Sequence, residues 1–390
     1  MRWAGGAVLR DRNAGLYLSG VVVSGFGSSA MWLAAGIWVK SLTGSDSLAA
    51  LTTFTLWAPT LIGPLLGTVA DRFRRRPLLI FSNLAMSVLL LPLLAVDSAQ
   101  RVWILFAVLT VYGVSSVLQD AAEAGLVATA VDGRLLGDVN GLRTTANEGM
   151  KLLAPIAGAA LFTRFGGASV AVLDMMSFAA AAGIFALLRV REEKPVRQAA
   201  APGLLEGVRR VRSSPVLRPL VLGGAATMGL AGLNGALIFA VADSVLGRSP
   251  AFVGVLYAAQ GAGSVLSGLL AGPLLRRFGE RAFAAAGVAL FATAAALRVL
   301  PYEAVALVCS AAIGLGLPCV LIAAMTAVQR ETPDAVVGRT AATAGTLMFV
   351  PNALTLAAGA ALVALVDVRA LLPVIGALGL LTALLLARRA

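Results

Sequence analysis

The sequence predicts an all-helical integral membrane protein with about twelve spans arranged as two six-helix bundles. Three observations carry this prediction. The chain has 390 residues, 59% of them hydrophobic and 13% charged, and its mean hydropathy is +0.90; a soluble domain is usually about 25% charged. Its apolar stretches are of membrane length, since a bilayer core about 30 Å thick takes roughly 20 apolar residues per helix. A basic hinge then occurs twice between such stretches, as Gly67-Thr-Val-Ala-Asp71-Arg72-Phe73-Arg74-Arg75-Arg76 and as Gly272-Pro-Leu-Leu-Arg276-Arg277-Phe278-Gly279-Glu280-Arg281. Only helices and closed barrels satisfy the backbone in lipid. Runs such as 102–117 and 282–296 are continuous rather than alternating, which selects helices.

Charged residues punctuate the spans in order. Arg10 and Arg12 precede a first span at 14–39, and Lys40 follows it. A second span, 48–70, runs into the first hinge, and a third, 77–97, leaves it. Arg101 precedes the fourth, 102–127; the fifth, 138–162, ends at Arg164; the sixth is 168–188. The second half repeats the scheme at 216–244, 251–275, 281–299, 303–329, 338–365 and 370–387, with Arg248, the second hinge and Arg369 in its loops. The expected organisation is a first bundle at 1–190, a linker at 191–214 and a second bundle at 215–390. The first apolar run is long, which fits a retained helix better than a cleaved signal.

The formal charge is +12, and its distribution argues against nucleic acid as a partner. Basic residues concentrate in every second loop, at Arg2 to Arg12, Arg72 to Arg76, Arg189 to Arg218, Arg276 to Arg281, and Arg388 with Arg389, whereas the loops between carry mostly single charges. This positive-inside pattern places both termini and the linker in the cytoplasm of a multi-pass protein of the inner (plasma) membrane. Within the linker, Leu204-Leu-Glu206-Gly-Val208-Arg209-Arg210-Val211 is a short amphipathic piece expected to lie partly on the membrane surface.

A second internal echo supports duplication. Gly137 near the start of the fifth span corresponds to Gly338 in the eleventh, and Ala157-Gly158-Ala159-Ala160-Leu161 to Ala358-Gly359-Ala360-Ala361-Leu362.

Several chemistries are excluded. The chain has no histidine, which removes the usual metal ligand and any histidine-based triad. There is no G-x-x-x-x-G-K-[ST] loop for ATP and no paired-acid metal motif. Cys309 and Cys319 fall about 15 Å apart along one helix, too far for a disulfide. No enzyme activity, cofactor or metal is therefore expected, and energy should come from an ion or solute gradient.

The polar residues inside the spans are the candidate functional groups. Gly67, Asp71, Arg72, Arg75 and Arg76 form the hinge. Asp71 is placed to pair with Arg72 or to face the N-terminus of another helix, controlling conformation rather than binding substrate. Gln119, Asp120 and Glu123 lie near the hinge end of the fourth span. Asp120 and Glu123 share a face at i,i+3 spacing and are expected to pair with the hinge arginines or to carry protons. On the fifth span Asn140, Arg143, Thr144, Asn147, Glu148 and Lys151 fall within roughly 140° of one face at about 100° per residue. Lipid would reject that stripe, so it should face the protein interior or a wet cavity. Glu148 sits near the bilayer midplane with Lys151 one turn on, open to a coupling role or a structural ion pair. Trp32, Trp57, Tyr112, Asn234, Tyr257, Gln260 and Asn352 are expected to line a single cavity, apolar except along the fifth span. Asp174 is expected to make a helix-interface hydrogen bond.

These residues together resemble the major facilitator superfamily over essentially the whole chain. Gly67 to Arg76 is similar to that family's G-x-x-x-D-R-x-G-R-R loop, with Arg74 in place of a glycine that Gly279 keeps in the second copy. The resemblance gives Asp71, Arg72 and Arg75 a role in inward/outward switching. Leu135 to Leu142, Ala154-Pro155-Ile-Ala-Gly158-Ala, Leu173-Asp174-Met-Met-Ser177-Phe178, Arg10-Asp-Arg-Asn13 and Leu204 to Arg209 resemble the branch of macrolide-efflux and enterobactin exporters. Pro155 and Gly158 match part of the drug-antiporter signature G-P-x-x-G-G, with Ala154 and Ala159 in place of glycines. The arginine that antiporters carry in the fourth span is absent around 109–113. The resemblance implies a monomeric secondary transporter among membrane lipids, exporting a hydrophobic or amphipathic small molecule such as an antibiotic or siderophore-like metabolite in exchange for protons. Glu148 would carry the proton, with Arg143 and Lys151 tuning it. Nutrient or lipid uptake, or service as the membrane subunit of an ATP-driven complex, are the alternatives.

Overall fold

Helix signals in the sequence set most of the observed boundaries. The computed structural model describes residues 5–44, 48, 51–52, 55–56, 58–190, 192, 206–248, 252–362 and 365–388; Trp57 and most of the linker lie outside them. A short helix α1 (Gly5–Arg10) leads into α2 (Arg12–Thr43). Asp11 caps α2 by accepting a hydrogen bond from the Ala14 amide, and Gly44 ends it in the left-handed region at φ 69°. After a 3-10 turn, α3 (Gly63–Ala70) runs to the first hinge and α4 (Arg75–Leu89) leaves it. Then come α5 (Val102–Ala130), α6 (Leu136–Phe165) and α7 (Gly167–Ala186), the last two separated by Gly166 at φ 78°.

In the second half α8 (Glu206–Ser213) bends by 103° into α9 (Leu217–Ala236). The remaining helices are α10 (Phe252–Leu297), α11 (Glu303–Glu331), α12 (Val337–Leu362) and α13 (Val368–Ala387). Among the described residues eight helices are long and apolar enough to cross a bilayer. One of them, α10, has 46 residues and would reach about 69 Å if straight. It is two spans joined at Gly279, whose φ of 76° turns the chain back. Three further expected spans fall outside the eight: α6 carries the polar stripe, α9 counts only with its bent partner, and the second span is described without interruption only from residue 58. Together these give the twelve predicted crossings.

Two sequence expectations are corrected. The seventh span does not continue to residue 244 as a regular helix, because α9 ends at Ala236 and a wide π turn follows at Val241–Val245. The linker helix does not lie on the membrane surface along its described part. Val211 is buried, Gly207 abuts Thr343 and the Arg339 carbonyl of α12, and Arg210 donates to the Glu331 carbonyl at 2.6 Å. Gly207 and Val211 are thus packed on the second half, while Val208 stays exposed.

Each half packs its helices through small residues, as membrane helices do when lipid offers no hydrophobic drive to association. In the first half, a Cβ placed on Gly158 would lie 2.7 Å from the Ala30 carbonyl oxygen of α2. Trp38 and Phe162 meet edge to face beside this contact, as do Tyr112 and Phe178 deeper in the half. In the second half the backbones of Gly287 and Gly316 meet in the same way.

Replacing Gly158 by Leu should push α2 and α6 apart, an overpacking cost of about 1–3 kcal/mol. Its unfolding midpoint in detergent should fall. Gly183 faces open space, and Gly183→Leu should leave the midpoint unchanged; equal effects would refute this packing.

Candidate functional site

Among the described residues, the hinge end carries polar and close-packed contacts between the two halves. Asp71, at the C-terminus of α3, is buried and reaches the first turn of α12. Its Oδ1 accepts from the Gly338 amide at 2.8 Å, and its Oδ2 accepts from the Arg339 amide at 3.0 Å and from Arg339 Nε at 2.9 Å. Asp71 thus caps a helix of the other half and neutralises its buried arginine. Of the two sequence options for Asp71, the structure shows the helix N-terminus and not Arg72, which is exposed. Gly67 permits the approach, because a Cβ there would lie 2.6 Å from the Arg339 Cα. Burial lifts the Asp71 carboxyl above the usual carboxylate range, and Arg339 partly opposes this.

A second lock stands at the equivalent position. Asp138, in the first turn of α6, pairs with Arg276 of the second hinge, and a Cβ on Gly272 would collide with the Asp138 carboxylate. Gly67 corresponds to Gly272, Asp71 to Arg276, and Arg339 to Asp138. The geometry repeats with the charges exchanged. Sequence reasoning found the glycines of this repeat but missed Asp138, Arg276 and Arg339 as partners, since nothing along the chain pairs them.

Further bonds close the same end. Asn140 Nδ2 donates to Gln329 Oε1 at 2.6 Å and to Thr326 Oγ1 at 3.0 Å. Thr145 donates to the Val265 carbonyl at 3.1 Å, and Thr346 to the Thr60 carbonyl at 2.8 Å. Arg75 donates to the Asp334 carbonyl. Arg76 instead ties the hinge to its own half, donating to the Ala186 carbonyl at 2.6 Å. Further along the same helices, a Cβ on Gly149 or Gly345 would meet no heavy atom within 4 Å.

At mid-depth in the first half lies a cavity of about 330 Å³, with α2, α5 and α6 supplying most of its wall. Arg143 is its centre. It donates to Asp120 at 2.5 Å and pairs with Glu123 at 3.0 Å, and the Tyr17 hydroxyl donates to the same Glu123 carboxylate at 3.0 Å. Asp120 and Glu123 therefore do not pair with the hinge arginines. Arg75 and Arg76 are occupied with backbone carbonyls, and the fifth-span stripe supplies the closer cation. Asn147 and Lys151 also line this cavity. Glu148 accepts from Lys151 at 2.8 Å, but Lys151 is 56% exposed and Glu148 26%, whereas the Glu123 side chain is 10% exposed. Tyr112 lines the cavity; its hydroxyl donates to Asp174 Oδ2 at 3.1 Å and lies 2.6 Å from the Ser28 hydroxyl, which can donate to it. Asp174 is fully buried in that helix-interface network.

The second half has its own cavity of about 200 Å³, nearer the far end, where Asn234, Tyr257, Gln260 and Asn352 come together. The expected single cavity is thus divided in two, one in each half. Trp32 joins neither wall and is 43% exposed. Sequence reasoning also missed Arg298, which is fully buried beside Asn234; it falls in the last turn of the expected ninth span, where a charge reads as an ordinary helix-end residue.

The Major Facilitator Superfamily profile matches residues 17–242 and 220–390. Uncharacterised MFS-type transporters of Mycobacterium tuberculosis and Mycobacterium bovis are 31% identical over 171 residues, 42% of this chain. The match spans only 38% of their length. A bacterial homologue of the iron transporter ferroportin, crystallised in an outward-facing state, superposes with a TM-score of 0.76 at 18% identity, over 95% of this chain and 98% of its own. The human organic anion transporter MFSD10 gives 0.76 at 18% identity over 96% and 99%. At such identity these two share the fold. With profile matches spanning residues 17 to 390 and two locked halves around facing cavities, the chain belongs to the Major Facilitator Superfamily of membrane transporters.

Proposed function

We propose that this transporter is a secondary active exporter of hydrophobic or amphipathic small molecules, driven by proton antiport. The observation that carries the reading is the Tyr17–Glu123–Arg143–Asp120 cluster on the wall of a mid-depth cavity. A carboxylate kept from lipid by an arginine and a phenol is a group whose protonation changes its neighbours. With Glu123 ionised, Arg143 is held on α5 by two carboxylates; with Glu123 neutral, it loses the buried one and keeps only the exposed Asp120, which shifts its charge along the cavity wall. A proton gradient can thereby weight two arrangements of the helices. Glu148, the coupling group expected from the sequence, is more open to solvent and serves better in meeting substrate together with Lys151.

The basic loops support assigning the hinge end to the cytoplasm, which makes the observed arrangement outward-facing. Residues 1–190 and 215–390 are then the two bodies that rock, tied by 191–214, and the Asp71–Arg339 and Asp138–Arg276 locks must open for the inward-facing state. The partial antiporter signature at Pro155 and Gly158 supports export, and Gly158 provides the close helix approach that the signature implies. A single chain encloses both cavities, so a monomer suffices.

Asp71→Ala removes a helix cap and strands Arg339, costing the closed hinge end about 3 kcal/mol or more, roughly a hundredfold in its closed-to-open ratio. Spin labels at the exposed positions Arg72→Cys and Ala335→Cys should show a long-distance population rising to dominance in that variant. An unchanged distance distribution would remove Asp71 from the switch.

A susceptibility screen against natural-product toxins, with and without the chain, should yield at least one compound to which it confers tolerance. Energised everted vesicles should accumulate that compound, and accumulation should drop at least tenfold in Glu123→Gln while Glu148→Gln keeps its pH dependence. Depletion from everted vesicles would establish uptake instead. Wild-type pH dependence in Glu123→Gln would dismiss Glu123 as the coupling group.

A further inference from the structure

Arg298 follows the last residue of α10 at the far end of the second half, where an arginine can reach water at little cost by extending its side chain. It does the opposite. Its side chain turns inward to 0% exposure, while Leu297, Leu300 and Tyr302 around it stay exposed. Inside, the guanidinium makes one hydrogen bond, a long one of 3.4 Å from Nη1 to Asn234 Oδ1. Its Nε and Nη2 have no hydrogen-bond partner among the described residues. Tyr257 and Cys309 are the nearby titratable side chains, and both types are neutral at pH 7.

Among the described residues, no carboxylate is among the groups that act on Arg298. Glu303 is held by Arg248, Asp367 accepts from the Arg369 amide at 2.8 Å, and Asp243 is exposed. A guanidinium stays protonated in proteins, so this is a lasting positive charge without a counterion, in a place where charges are rare and paired.

The free atoms define what would satisfy it. Nε–H and the Nη2 protons lie on one edge of the guanidinium, the two-pronged edge that matches both oxygens of a carboxylate. The nearby cavity shares Asn234 with Arg298 and is otherwise walled by Tyr257, Gln260, Ile238, Phe291 and Ile313. Arg298 stands beside this wall, next to Asn234 and Tyr257. Asn234 spends its oxygen on that bond, which leaves its amide protons as donors. The cavity therefore combines an apolar wall, donor groups and a neighbouring unbalanced cation.

We propose that the second-half cavity is a binding subsite for a carboxylate borne on an apolar or aromatic body, with Arg298 as its counterion. The inference rests on the transport reading and sharpens it: the substrate presents its acid to the second half, while the first half holds the paired charges of the proposed coupling cluster. Free phosphate or a phospholipid headgroup would also be drawn by the charge. Full burial of Arg298 inside the half argues against bulk lipid, and the planar edge favours the planar acid.

Equilibrium binding of labelled benzoate to the purified full chain tests this, with benzamide as the neutral isostere and inorganic phosphate as competitor. Wild type should bind benzoate at least tenfold more tightly than benzamide. Arg298→Gln should abolish that preference while keeping benzamide binding, and Arg298→Lys, which keeps the charge but not the fork, should lose at least threefold. Absence of benzoate binding, equal affinity for the two compounds in wild type, or an unchanged preference in Arg298→Gln overturns the proposal. Displacement by phosphate as effective as by benzoate overturns the carboxylate assignment. Where Arg298→Gln gives no monodisperse protein, the Lys variant decides, and an unchanged preference there is fatal. Binding is read without transport, so failure of export in vesicles bears on the transport reading alone.

Discussion

A charge buried at the meeting of two membrane bundles must find its opposite, and this constraint shapes the hinge end. Asp71 sits against the start of α12 and Asp138 in the first turn of α6, each answered by an arginine from the other half. The exchange of polarity between the two locks has a simple electrostatic logic. In both, the carboxylate sits at a helix N-terminus, where unpaired amides and the helix dipole favour negative charge. The hinge supplies the acid in one lock and the arginine in the other. What repeats is the acid's place at the helix start, and the arginine takes whichever side remains. Breaking either pair without hydrating its members would leave buried charge on both sides, so each lock favours two discrete states over a gradual opening.

How much of this was legible in the sequence depended on whether the signal was local. The spans and the hinge repeat could be read because apolar length and clustered arginines are properties of one stretch of chain. The Gly137–Gly338 echo, read from the sequence as a mark of duplication, falls beside the two pairs: a Cβ on Gly338 would lie 2.5 Å from Asp71 Oδ1, and one on Gly137 2.7 Å from Leu275 Cδ1. The identity of the partners was not legible. Proximity to the same end assigns Asp120 and Glu123 to the hinge arginines, yet Arg143 on the neighbouring helix lies closer, and no spacing rule within one helix reports that. Helical angle groups Asn140 with the site stripe; its depth, one turn into α6, puts it instead in the seal against Gln329. Arg298 is the clearest failure. Sequence position alone places it at a helix end, and its inward turn is decided wholly by what α10 packs against.

The two halves share their lock geometry and differ in their chemistry. The first-half cavity carries charged side chains, and Arg143 is paired there with Asp120 and Glu123. The second-half cavity has amides and a phenol on an apolar wall, with one unsatisfied guanidinium behind it. A symmetrical pair of locks therefore governs an asymmetrical pair of sites, which is what coupling two different ligands to one motion requires. A ligand shifts an equilibrium only by its differential affinity for the two states. A proton on Glu123 changes charge pairing between α5 and α6 within the first half. An acid at Arg298 would change it within the second. Neither ligand reaches the locks, so each must act by altering how its own half fits against the other. The contact available for that is the stretch of α6 carrying Asp138, Asn140 and Thr145 at the seal, and Arg143 at the cluster, within two turns of one helix. A rotation of α6 small enough to re-aim Arg143 would also carry Asp138 and Asn140 off their partners, so in the proposed mechanism this shared rigid element, rather than any direct charge relay, would link cavity and lock.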